Sequence, residues 1–217
     1  GGQGIAGTIP PRMPMADLLV IWMGVTNTIY ALLDDREEVH RTLDALDERD
    51  ERLYPIVCDS PAPLVCFGEN ISAEVVGPKV FRDYYLPYHI KRSAQVRKAG
   101  KFTLVHIDGT MRGVLEQVAT SGIQCAQSLT PAPVGDLTPR QMRELAGPEV
   151  LLWTGVPGVL FSPLYPVETV ERCVRELLDE LMEEGKVLIG TCDQVPPDGD
   201  MERVRLVTEL VERYGRY

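Results

Sequence analysis

Positive charge is what this sequence is short of: 22 Lys and Arg stand against 32 Asp and Glu, giving a formal net charge of −10 and an isoelectric point near 4.8. Surfaces for nucleic acid or anionic lipid need clustered cations, so both partner classes are disfavoured, and small molecules or proteins are expected instead. Cysteine is sparse and odd in number, at positions 58, 66, 125, 173 and 192. An odd set does not make the disulfide framework of a small secreted domain. Cys66, Cys125 and Cys173 lie in apolar periodic segments, like small hydrophobes, and a cytoplasmic location is expected. Long apolar runs are missing too. Leu18 to Val25 is far short of the roughly 20 residues that span a bilayer, and no charged, apolar and cleavage-site sequence opens the chain. Neither G-x-G-x-x-G nor G-x-x-x-x-G-K-[ST] follows any strand-like run, so the usual dinucleotide and triphosphate cradles are not signalled.

What is present is ordinary globular material, 217 residues with 44% hydrophobic and 25% charged. That suffices for one sizeable core, and one domain is expected. Residues 1 to 15 are rich in Gly and Pro and predict a loop or linker, a start that looks like the middle of a larger protein. Asp17 to Leu33 has helical apolar spacing. Asp34 and Asp35 with the following Glu residues then cap and charge the start of a second helix reaching about Leu53. The expected division is an N-terminal linker and helical pair over 1–55, followed by a βα region over 56–217.

From Ile56 the pattern repeats. Apolar runs at 64–67, 102–106, 123–129, 150–154 and 187–189 predict strands. Between and after them, helical spacing covers 78–98, with a kink at Pro87, then 111–120, 138–145, 167–184 and 201–214. Five strand-then-helix units imply a parallel sheet covered by helices, an α/β fold. The run F-T-L-V-H-I-D-G (102–109) stands out, because His106 and Asp108 sit where a strand gives way to a turn. The other strand ends carry Glu69 and Asn70, Ser128 to Thr130, Thr154 and Gly155, and Cys192 and Asp193. In a (β/α)8 barrel such positions converge on one mouth. Five units do not close an eight-stranded barrel. The alternatives are missing units before the chain's first strand, completion by another chain, or unrecognised strands before residue 56.

Five ordered segments, A-L-L-D-D-R-E-E-V-H (31–40), F-G-E-N (67–70), G-P-K-V-F-R-D-Y-Y-L-P-Y (77–88), H-I-D-G (106–109) and C-D-Q-V-P-P-D-G-D (192–200), carry a resemblance. Together they resemble the uroporphyrinogen decarboxylase superfamily, which includes the decarboxylase of haem synthesis and zinc-dependent methyltransferases working between corrinoids and thiols. The resemblance implies a distorted (β/α)8 TIM-type barrel, of which this chain would be the C-terminal part, incomplete with about five units. The arginine-bearing segment that holds porphyrinogen carboxylates in the decarboxylases has no counterpart here.

The superfamily's methyltransferases carry His-x-Cys after one strand and a further Cys after the last. His106 matches the first ligand and Cys192 the last, while Asp108 stands where the second cysteine would be; a carboxylate is a harder but acceptable zinc ligand. Glu69 is a further candidate ligand, and Glu69, Asn70, His106 and Asp108 are the candidate catalytic residues. The expected cofactors are Zn²⁺ and a corrinoid carried by a partner protein, and the expected activity is methyl transfer involving a small methylated substrate. A porphyrinogen decarboxylase and a non-catalytic ligand-binding paralogue are the alternatives. The plain structural alternatives are that His106 and Asp108 bond only each other and the loop, and that Cys192 is a loop cysteine under Pro196 and Pro197. His40 and His89 are expected at surface or structural positions, Tyr84, Tyr85 and Tyr88 in helix packing, and Asp198 and Asp200 as caps. An open sheet edge would call for a homo-oligomer or a partner chain.

Overall fold

The computed structural model describes residues 4–215. Its centre is a six-stranded parallel sheet: β1 (Gly7–Thr8), β2 (Leu64–Ile71), β3 (Phe102–Ile107), β4 (Cys125–Leu129), β5 (Leu151–Pro157) and β6 (Val187–Cys192). The strands are neighbours in chain order. That order is the progression of a barrel wall, and the α/β class and incomplete TIM-type architecture expected from the sequence are what the chain adopts. β1 is an addition. Residues 7 and 8, expected to be loop, pair with Leu64 and Val65. The first three residues of that expected loop lie outside the described part.

The helices are α1 (Pro14–Asp17), α2 (Gly24–Asp34), α3 (Arg36–Asp59), α4 (Gly77–Val80), α5 (Leu86–Lys98), α6 (Leu115–Thr120), α7 (Pro139–Ala146), α8 (Val167–Leu181) and α9 (Met201–Tyr214). Wide π turns at Leu18–Trp22 and Phe81–Tyr85 follow α1 and α4, the second just before the expected kink at Pro87. Local sequence explains several ends. Asp35 accepts the Glu38 N–H and Asp200 accepts the Glu202 N–H, while Thr138 and Gln141 form a reciprocal capping box before α7. Asp198 does not cap α9 but accepts a hydrogen bond from Ser162 Oγ at 2.6 Å. No helix among the described residues is long and apolar enough to cross a membrane.

Alternation along the strands sorts side chains onto two faces. Val65, Phe67, Val105, Ile107, Ala126 and Leu152 point under the helices into the main core, which also takes in Met13, Met15, Leu19 and Tyr54 from before residue 56. Residues of opposite parity, among them Leu104, His106, Gln127, Trp153 and Leu188, form the face that would line a barrel interior. It is less well covered: His106, Gln127 and Trp153 are half-buried and Leu188 is exposed.

Two register breaks disturb the strand pairing. On β2, Phe67 pairs with Val105 but Ile71 with Ile107, so three residues of β2 stand opposite one of β3. On β4, Gln127 pairs with Trp153 and Leu129 with Thr154, leaving Ser128 as an extra residue. Ser128 has φ +72°, a left-handed conformation that non-glycine residues adopt at a cost of about 1–2 kcal/mol. The bulge shifts parity by one. Gln127 belongs to the open face, while Leu129 joins the core beneath the helices.

Candidate functional site at the strand C-termini

The C-terminal ends of β3 to β6 surround an open cavity of about 460 Å³ lined by Asp108, Gly109, Thr130, Cys192, Asp193 and Gln194, with Gly158 and the prolines 196 and 197 closing its sides. Parallel strands direct their following loops to one end, which is why residues from four separate segments meet here. The turn after β3 is fixed by Asp136, whose carboxylate accepts the N–H groups of Met111 at 2.8 Å and Arg112 at 3.1 Å. The Asp108 N–H donates to the Ile71 carbonyl at 2.8 Å, leaving its half-buried side chain at the cavity wall.

His106 is the best-supported reactive group. Its Nδ1 lies 2.6 Å from Gln127 Oε1, and its Nε2 lies 3.8 Å from Asp193 Oδ1. The imidazole is 16% exposed and the Asp193 carboxylate 43% exposed; Asp193 lines the cavity, and His106 stands behind it on the open face of the sheet. His106 and Asp108 do not bond each other. Asp193 is itself held from β4, since its N–H donates to Ser128 Oγ at 2.7 Å. Its φ of +61° is again left-handed.

Cys192 lines the same cavity but is 2% exposed. Its thiol donates to the Leu129 carbonyl at 3.1 Å, an oxygen that also accepts from Thr154 Oγ1 at 2.6 Å. Burial pushes the thiol up to about 12, against weaker lowering by Thr154, Thr130 and the Gly155 backbone. A thiol in that state is a neutral donor and a poor nucleophile.

Glu69 is elsewhere. It shares the parity of Phe67 and Ile71 on β2 and points with them under the helices, 2% exposed, with both carboxylate oxygens accepting the Met13 N–H at 3.1 and 3.3 Å. Burial raises it to about 8, helped by Asp17 and Asp50 and opposed by the Met13 N–H and Arg12. The expectation that Glu69 joins His106 is therefore corrected: the sheet lies between them. Asn70 is exposed, with φ +50°. His89, expected at a surface or structural position, is fully buried among Phe67, Phe81 and Tyr85, and burial pushes it down to about 3, a neutral packing group. His40 is exposed, beside Tyr84.

These placements test the zinc expectation. Among the described residues no group of three or more His, Cys, Asp or Glu side chains stands close enough to hold a metal ion. Glu69 is on the wrong face, Cys192 is occupied as a donor to a carbonyl, and His106 Nδ1 is taken by Gln127. As placed, His106, Asp108, Cys192 and Glu69 do not fit a four-coordinate zinc ion, whose ligands stand about 2.0–2.3 Å from the metal.

Over residues 16–214 the chain matches the family described as uroporphyrinogen decarboxylase (URO-D). It belongs to the URO-D family. A solved structure, a methyltransferase from Methanosarcina mazei, superposes with a TM-score of 0.74 at 18% identity, covering 99% of this chain and 60% of that one. The likeness establishes the shared fold. This URO-D chain thus spans 60% of the length of the methyltransferase it matches. No curated protein matches it in sequence.

Sequence reading missed Gln127 and gave Asp193 no role beyond a place at the mouth. Gln127 carried a signal, as the first of two polar residues, with Ser128, inside a short buried strand, C-A-Q-S-L. Its partner could not be read without the pairing of His106 opposite Gln127.

Proposed function

We propose that this URO-D chain carries the mouth of a small-molecule methyltransferase, with His106 as its proton-handling residue. The observation that carries the reading is the charge of the cavity. Its lining holds two carboxylates, Asp108 and Asp193, and no Lys or Arg. A porphyrinogen bears several carboxylates, which two aspartates repel. A neutral or cationic methylated compound meets no such penalty. The URO-D family includes enzymes, and the name of the structural neighbour points the same way.

In the proposed reaction a neutral thiol co-substrate gives its proton to His106 Nε2, and its sulfur attacks the methyl carbon of CH₃–X, forming the S–CH₃ bond as the C–X bond breaks and X leaves with the bonding pair. His106 as imidazolium gives its Nε2 proton to X. Asp193 Oδ1, 3.8 Å from that nitrogen, orients the imidazole for the transfer. Cys192 stays neutral and packs the wall. No step here depends on zinc, which these side chains as placed do not fit, or on a corrinoid presented by a partner protein. The two sheet edges, at β1 and β6, are the places where a second copy or a partner chain would attach.

The test incubates the purified chain with methylated amines, alcohols or thioethers and a small thiol, with and without added zinc, and measures methyl thioether by mass spectrometry. Expected are product formation, a loss of about 100-fold or more for His106→Ala, and a smaller loss for Asp193→Asn. Conversion of uroporphyrinogen with no thioether would replace this reading by the decarboxylase. Saturable ligand binding without turnover would replace it by the binding paralogue.

A further inference from the structure

Gln127 and Ser128 are consecutive residues that each hold one half of the His106–Asp193 pair. In a regular strand neighbouring side chains point to opposite faces, so two successive residues do not serve one site. The bulge removes that restriction. With Ser128 at φ +72°, Gln127 stays on the open face opposite His106 while the Ser128 hydroxyl reaches the Asp193 N–H at the end of β6. Both contacts join residues distant in sequence, 21 and 65 positions apart. Ser128 is 1% exposed, so its hydroxyl does not have water as a ready alternative partner.

We infer that Gln127 and Ser128 form a positioning clasp: Gln127 fixes the tautomer of His106 with the proton on Nδ1, and Ser128 holds Asp193 against Nε2. This rests on His106 being the working group of the mouth. The Gln127 carbonyl oxygen accepts from Nδ1–H, which leaves the Nε2 lone pair as the site where a proton is taken up and given away. The Asp193 carboxylate stands 3.8 Å from that nitrogen, at the cavity side. An imidazole without the clasp would be free to turn Nε2–H toward Asp193 in its neutral state, and its proton acceptor would then be Nδ1, beside β4 instead of the cavity.

The chain holds three histidines, so the clasp can be read directly by imidazole ¹⁵N–¹H correlation spectra of the intact protein, with His106 assigned from the signals lost in His106→Gln. At a pH where His106 is neutral, the wild type is expected to show the Nδ1–H pattern. Gln127→Leu is expected to move His106 to the Nε2–H or a mixed pattern, while Gln127→Glu, which keeps an acceptor at the same place, restores Nδ1–H. Ser128→Ala is expected to leave the tautomer alone and broaden or shift the Asp193 amide. An Nε2–H pattern in the wild type, or an unchanged pattern in Gln127→Leu, overturns the inference. The readout needs no substrate. Absence of methyl transfer with the Nδ1–H pattern intact would therefore refute the proposed reaction and leave the clasp standing.

Discussion

Replacing Glu69 by Gln should abolish a pH dependence of stability that the wild type carries. In the unfolded chain this carboxyl has its ordinary value of 4.5, and in the fold burial raises it to about 8. Asp17 and Asp50 add to the rise, and the Met13 N–H and Arg12 only partly offset it; Tyr85, which Glu69 pushes upward in turn, is a further neighbour. Between those two values the folded protein holds a proton that the unfolded chain has released. Stability is therefore greatest below the unfolded value and falls as pH rises through the folded one. The difference, 8 − 4.5 = 3.5 units, corresponds to an upper bound of about 5 kcal/mol. Relaxation and water entry around a buried ion reduce that to about 2–5 kcal/mol, a large part of a typical total of about 5–15 kcal/mol. Gln retains an acceptor for the Met13 N–H and does not titrate. Thermal melts at pH 5.5, 7 and 9 should show the wild type losing about 2–4 °C for each kcal/mol, while Glu69→Gln lacks this component and keeps only the loss below about pH 6.5 from buried His89 and the smaller loss toward pH 9 from the buried cysteine thiols. Parallel pH profiles for the two proteins would refute the reasoning. A variant that melts normally but transfers no methyl group would return Glu69 to the mouth.

Cys192 should resist iodoacetamide at pH 8 in the folded protein and react once the chain is unfolded, because its thiol is buried and held well above that pH. Rapid labelling in the native state, lost in Cys192→Ser, would contradict the neutral-donor assignment and reopen the zinc reading. Gly155→Ala should destabilise by more than about 3 kcal/mol, since a Cβ there would lie 1.8 Å from the Gly190 carbonyl oxygen across the β5–β6 pair. A denaturant midpoint close to the wild type's would show that the two strands separate more easily than their register suggests.

Local pattern alone determined much of this protein. The apolar runs became strands, the caps and helical spacing became helices, and the strand-then-helix repeat dictated a parallel sheet, because alternation and helical period are properties of neighbouring residues. The grouping of His106, Asp108 and Cys192 at one end also follows from that repeat, since each comes at the C-terminal end of a parallel strand. Tertiary structure decided which face each strand-end residue occupies. Glu69 and Asn70 look equally available in F-G-E-N, yet Glu69 shares the face of Phe67 and Ile71, which Met13 and the helices cover, while Asn70 is exposed. The bulge at Ser128 likewise turned an unremarked Gln-Ser pair into partners of His106 and Asp193. β1 formed from a segment with no strand signature because an edge of β2 was there to pair with it. Bulges, edge pairing and the burial of a carboxyl depend on contacts made by distant parts of the chain, and those contacts exist only once the sheet has assembled.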